Sequence, residues 1–236
     1  PGTSRFDTKR VHWGEPWQRS DDVSANGAYN HLTLLAYTTE GMLNLFRLGS
    51  RASTEGQFGK WPRADKELLQ EYHEGLIVFS GCPSGAVQTH MRLGQWDEAV
   101  REAGELRDIF GPENFYVEVM DHGIEFERRT RNDLLKLAKL MNAPLVATND
   151  AHYVKKEDRD VQDALLCINS GAKLADQDRF KFDGDGYYIR SSEDMRRTWA
   201  ELPEACDTTL DIAERCDVHF TTTKEGANYM PDFPVP

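Results

Sequence analysis

The sequence predicts an α/β fold built on a parallel sheet. Three observations carry this. Strand-like and helix-like segments alternate four times between residues 29 and 170. The strand segments are continuous apolar runs, as when both faces of a strand are covered. The connections between them are long enough for crossover helices, which parallel strands require.

Residues 1–27 read as loop, with Gly, Pro, Ser and Asp scattered and no periodicity. Residues 29–36 (YNHLTLLA) read as a short buried strand. Residues 40–53 carry Met42, Leu45, Phe46 and Leu48 at helical spacing. Pro62 precedes a helix over 64–73, with Gly75 just past its end, where a left-handed cap is usual. Residues 76–80 (LIVFS) form the next strand and run into Gly81-Cys82-Pro83-Ser84-Gly85. Helices follow at about 84–92 and 95–109. Residues 115–120 (FYVEVM) are a strand ending in Asp121-His122-Gly123, followed by a helix over 125–141. Residues 144–148 (PLVAT) are a strand ending in Asn149-Asp150-Ala151-His152, followed by a helix over 157–170. A polar, Gly-rich stretch at 176–190 precedes two further helices, 191–200 and 203–216.

The composition is that of a globular protein: 39% hydrophobic and 29% charged in 236 residues. No run approaches the roughly 18 apolar residues of a spanning helix, so no membrane role is expected. Cys82, Cys167, Cys206 and Cys216 lack CxxC spacing and the density of a disulfide scaffold, which predicts a reducing cytoplasm. The net charge of −12 makes a poor general grip on nucleic acid, because sequence-independent affinity comes from cations on phosphates. A role on DNA needs a local basic patch, bound metal or neighbouring domains.

Metal-capable residues recur where strands end. Cys82 follows LIVFS, Asp121 and His122 follow FYVEVM, and Asp150 and His152 follow PLVAT. In parallel α/β folds the C-terminal strand ends form the functional face. In extended backbone, Asp150 and His152 project to one side and can reach a metal together; the alternative is an N-cap Asp and a surface His. Cys82 lies near a helix N-terminus, which favours the thiolate; the alternative is a small buried hydrophobe. Asp121 and His122 read as ligands, as residues orienting ligands, or as a turn before Gly123. His31, inside the first strand, reads as a core histidine. Lys155 and Lys156 read as a solvated face, close enough to the site to touch a phosphate. A mixed Asp, His and Cys set suits zinc, manganese or iron and favours hydrolysis, most plausibly of phosphate esters.

Six segments in order (HLTLLA with NLFRLGS, GCPSG, NFYVEVMDHG, ATNDAHYV, DRFKFDGDGYYIRS and MPDFPVP) make the chain resemble the PHP (polymerase and histidinol phosphatase) domain of bacterial replicative DNA polymerase III alpha subunits, the actinobacterial type above all. The resemblance implies a distorted (β/α)7 barrel, here incomplete. Residues 1–190 would form the PHP domain and residues 191–236 a short helical junction toward a palm domain. It implies up to three zinc or manganese ions, with His31, Cys82, Asp150 and His152 as ligands and Asp150 and His152 as the catalytic pair. Asn149, Asp121, His122 and Lys155 would lie around them. The family's H-x-H and T-D-H motifs are absent from this sequence, its early G-x-E is absent from the first 110 residues, and the chain starts Pro1-Gly2 without Met. The expectation is therefore a piece of a longer product with little activity alone. The implied parent is a DNA-directed DNA polymerase using magnesium at a separate site. Its PHP module would be a 3′–5′ proofreading exonuclease, with DNA as substrate and other replisome subunits (sliding clamp, proofreading or loader subunits) as partners. The alternatives are a non-catalytic PHP module that stabilises the polymerase and a stand-alone histidinol-phosphatase-type enzyme.

Overall fold

A computed structural model describes residues 4–22 and 25–226; the closing MPDFPVP segment lies outside the described residues. The elements in order are β1 (Leu34–Ala36), α1 (Thr39–Glu55), α2 (Lys66–Glu71), β2 (Leu76–Phe79), α3 (Ala86–Arg92), α4 (Trp96–Phe110), β3 (Phe115–Val119), α5 (Glu125–Met141), β4 (Leu145–Ala147), α6 (Arg159–Ser170), α7 (Ser192–Thr198) and α8 (Pro203–Arg215). The four strands form one sheet in the order β1-β2-β3-β4.

The helix ends follow local chemistry. Thr38 caps α1 by accepting from the Gly41 backbone N–H, and Asp65 caps α2 by accepting from that of Leu68. Helix α5 stops at Asn142, which takes a left-handed conformation (φ 47°) that Asn tolerates well.

Strands β2, β3 and β4 are parallel, as expected. Strand β1 is not: it pairs antiparallel with β2, Leu34 opposite Val78. The cause is a pin at Gly75. Its carbonyl accepts from the Tyr37 backbone N–H at 3.0 Å. Gly41 packs so closely over it that an added Cβ would stand 1.9 Å from that oxygen. The start of β2 is thus held at the end of β1, and the chain must run back along it. The expected strand over 29–36 also shortens to its last three residues. His31 lies outside it, in an isolated bridge to Gly85.

Side chains alternate across the sheet as the period of two requires. Leu76, Val78, Phe115, Val117 and Val119 face the main core with Leu134, Leu137 and Ala138 of α5 and Leu106 and Phe110 of α4. Ile77, Phe79, Tyr116 and Val146 face the other side, where Ile212 of α8 covers them. Helices α7 and α8 are part of this packing: Trp199, Ala205 and Cys206 are buried in the main core. Arg215, at the end of α8, donates to the Glu113 carbonyl, the Asn114 side chain and the Tyr116 hydroxyl. The chain then reaches β1, where the Asp217 N–H donates to the Tyr37 carbonyl.

Candidate metal centre

A cavity opens where β2, β3 and β4 end and β1 begins. It is lined by His31, Thr33, Phe79, Cys82, Glu118, Thr148 and Asp150 among others. Three of the four residues expected as ligands therefore share one cavity.

The GCPSG turn positions the first two. The Gly85 N–H donates to the Cys82 carbonyl at 2.8 Å, closing the turn, and the His31 N–H donates to the Ser84 carbonyl at 3.1 Å. A Cβ at Gly85 would stand 3.0 Å from the Cys82 carbonyl and 3.2 Å from the His31 carbonyl, so a larger residue would push the two segments apart by a few tenths of an ångström. Cys82 Sγ then lies 3.5 Å from His31 Nδ1. Zinc–sulfur and zinc–nitrogen bonds of about 2.3 and 2.05 Å at a tetrahedral angle put the two donors about 3.5 Å apart. The pair fits two corners of such a site.

Helix α3 does not make Cys82 a thiolate, contrary to expectation. The helix has only seven residues, and burial pushes the thiol up to about 11, with the charges of Asp150 and Glu118 adding to it. Without metal, Cys82 is a neutral thiol; a metal must displace its proton.

Asp150 and His152 are arranged differently from an extended pair. Asp150 has φ 40°, a left-handed conformation uncommon outside glycine. Its carboxylate stands 4.0 Å from His152 Nδ1, which donates to the Asp150 carbonyl at 2.6 Å. That bond leaves Nε2 as the nitrogen able to bind metal. His152 packs beside Phe182 and Tyr187 and does not line the cavity that holds Asp150. Among the described residues, no three His, Cys, Asp or Glu side chains converge at metal-binding distance.

The surrounding residues hold this loop. Asn149 Nδ2 donates to the Gly186 and Tyr188 carbonyls at 2.8 and 2.7 Å, and the His152 N–H donates to the Tyr187 carbonyl. His122 is sealed in. Nδ1 meets Glu127 at 2.5 Å, Nε2 donates to the Asn149 carbonyl at 2.9 Å, and the ring stacks on Tyr187. Burial lowers its affinity for a proton, but Glu127 outweighs burial and the imidazole pKa is raised. Asp121 accepts from Gly123 N–H and pairs with Arg131. Lys155 is exposed beyond the loop, and Lys156 pairs with Asp185. Replacing Asn149 by alanine leaves two carbonyls without their donor. It should cost about 1–3 kcal/mol in urea unfolding and speed proteolysis within residues 176–190.

Glu118 did not stand out in the sequence, yet it is the most unusual group here. It sits on β3, 2% exposed, facing the cavity. Thr148 Oγ1 donates to it at 2.7 Å, with Thr33 Oγ1 at 3.5 Å. Burial pushes its carboxyl up to about 7 against the Thr148 hydrogen bond, and the Asp150 charge acts with burial. An unfolded glutamate titrates near ~4.3. Between these values the folded state holds the extra proton, so stability falls as pH rises from about 4.3 to 7. Urea melts at pH 5 and pH 8 should show a smaller drop for Glu118→Gln than for wild type.

With this geometry in place, the comparisons with known proteins are specific. Residues 7–122 match the family described as PHP domain. The chain belongs to the PHP-domain family. Within it, the similarity is to the DNA polymerase III alpha subunits of actinobacteria. The chain is 52% identical over 237 residues to "DNA polymerase III subunit alpha" of Mycobacterium leprae and 53% over 225 residues to that of Saccharopolyspora erythraea. It is 37% identical over 239 residues to that of Thermus aquaticus. These alignments cover 100%, 92% and 99% of this chain but 20%, 19% and 18% of the relatives. The chain thus spans about a fifth of their length. No helix among the described residues is long and apolar enough to cross a membrane.

Proposed function

We propose that the chain contributes a metal-dependent phosphoesterase, a 3′–5′ exonuclease module, to a cytoplasmic replicative DNA polymerase. The observation that carries this is the His31–Cys82 pair, set at metal-ligand separation in a cavity shared with Asp150. His31, Cys82, Asp150 and His152 would hold zinc or manganese. A bound divalent ion supplies a Lewis acid and lowers the pKa of its water. The chain's own residues orient the site: the GCPSG turn fixes Cys82 against His31, and Asn149 fixes the loop that presents Asp150 and His152. The sequential strand order suits one wall of a distorted (β/α)7 barrel, with residues 191–236 leading toward a palm. DNA is the substrate in this reading. The polymerase active site, with its magnesium, and contacts to sliding clamp, proofreading or loader subunits belong to the longer protein.

The test is a polymerase carrying this module, wild type against Asp150→Asn plus His152→Ala. The doubly substituted protein should lose bound metal and 3′–5′ exonuclease activity; retention of both overturns the reading. The 236-residue chain alone is expected to show little or no nuclease activity, because its sequence has no H-x-H or T-D-H and no G-x-E before residue 111. A second reading, a non-catalytic module that stabilises the polymerase, is favoured by one observation. No three ligand side chains converge among the described residues. An intact polymerase without metal or exonuclease activity would support it. A stand-alone histidinol-phosphatase-type enzyme is the weaker alternative, given the names of the relatives.

A further inference from the structure

One layer below the candidate ligands, three hydroxyl residues meet a single acidic residue, two of them at its carboxylate and one at its backbone N–H. Thr33 is two residues after His31, Ser80 two before Cys82, and Thr148 two before Asp150. The signs differ because β1 runs antiparallel to β2, whereas β2, β3 and β4 are parallel. In space, each hydroxyl residue lies on the same side of its ligand, one layer deeper along the strands. All three meet Glu118. Thr148 Oγ1 donates to its carboxylate at 2.7 Å, Thr33 Oγ1 stands 3.5 Å from it, and its backbone N–H donates to Ser80 Oγ at 3.0 Å. Glu118 is 2% exposed and Ser80 1%, so water does not compete for these contacts.

We propose that Glu118 is a positioning residue that sets the spacing of the segments carrying His31, Cys82 and Asp150. Its carboxylate is hydrogen-bonded to Thr148 and Thr33 rather than to His31, Cys82 or Asp150. It joins the three strand ends below them, and a displacement there moves the donors above. The inference rests on the metal-centre reading given above. Groups that orient metal ligands through hydrogen bonds are worth about ten- to a hundredfold in metal affinity. Glu118 would act one step further back, through the backbone.

Cobalt(II) titration of a polymerase carrying this module, followed by its thiolate-to-metal absorbance, tests this. Glu118→Ala should bind cobalt(II) about tenfold more weakly, the low end of what a group bonded directly to a ligand is worth. Glu118→Gln keeps an oxygen for Thr148 and gains an amide donor for Thr33, so it should restore most of the affinity. Thr148→Val, which leaves Glu118 in place, should weaken binding in the same direction. Thermal unfolding of each variant checks that it is folded. If Glu118→Ala does not fold, Thr148→Val and Glu118→Gln decide. Wild-type affinity in Glu118→Ala or Thr148→Val overturns the inference while leaving the metal centre intact. Glu118→Gln as weak as Glu118→Ala, or weak where Glu118→Ala is unfolded, also overturns it, because charge rather than spacing would then matter. A wild-type polymerase that gives no thiolate-to-cobalt absorbance overturns both readings.

Discussion

Replacing His31 and Cys82 together by alanine should abolish the thiolate-to-cobalt absorbance and weaken metal binding more than the ~100-fold that loss of an outer-shell partner can cost. These are the two candidate donors that the structure brings to ligand separation, 3.5 Å apart across the GCPSG turn. Each alone is a weak ligand set. Cys82 is a neutral, buried thiol held up to about 11, so metal uptake must release its proton and should strengthen as pH rises. The same double variant should leave the fold intact, because His31 is exposed and its backbone bond to Ser84 and bridge to Gly85 do not need its side chain. Equilibrium dialysis at pH 6 and pH 8 checks both points. Equal binding by variant and wild type would remove the pair from the site.

The second large effect concerns stability. Phe115→Ala should cost about 3–5 kcal/mol, measured as the shift of the urea midpoint at constant slope. Phe115 is fully buried where β3 starts, in the core shared by β2, α4 and α5. Truncation leaves a void that close-packed neighbours fill only in part. Against a typical total of about 5–15 kcal/mol, that is a large fraction. Phe180→Ala is the control. Its ring is 64% exposed, and a change of about 0.5 kcal/mol or less is expected there.

The helices were legible because their signals are local. Helix α5 runs over the predicted residues, from acidic Glu125 and Glu127 in its first turn to the left-handed stop at Asn142. The direction of β1 was not legible. Three residues, two half-buried and one exposed, carry no mark of parallel or antiparallel pairing, and the deciding contact lies between Gly41 and Gly75, 34 positions apart. The site was legible as a set of strand ends, which gave Cys82 and Asp150. His31 came through the family resemblance rather than its own setting. The thiolate expectation failed because a local feature, a short helix start, was weighed without the burial that outweighs it. Glu118 had a signal that went unused: a carboxylate inside the apolar run FYVEVM must find partners once buried.

Helix α8 also has a consequence for synthesis. It covers Ile77, Phe79, Tyr116 and Val146 through Ile212 and packs on β4, the last strand of the sheet. Nearly 70 residues separate the end of β4 from the end of α8. At about 5–20 residues per second, a nascent chain holds β4 uncovered for several seconds before its cover emerges. An open strand edge in that interval is a template for pairing with another chain. The vulnerable species on this pathway is therefore the polypeptide stalled before residue 203, and slow translation through residues 148–202 should raise its demand for chaperones.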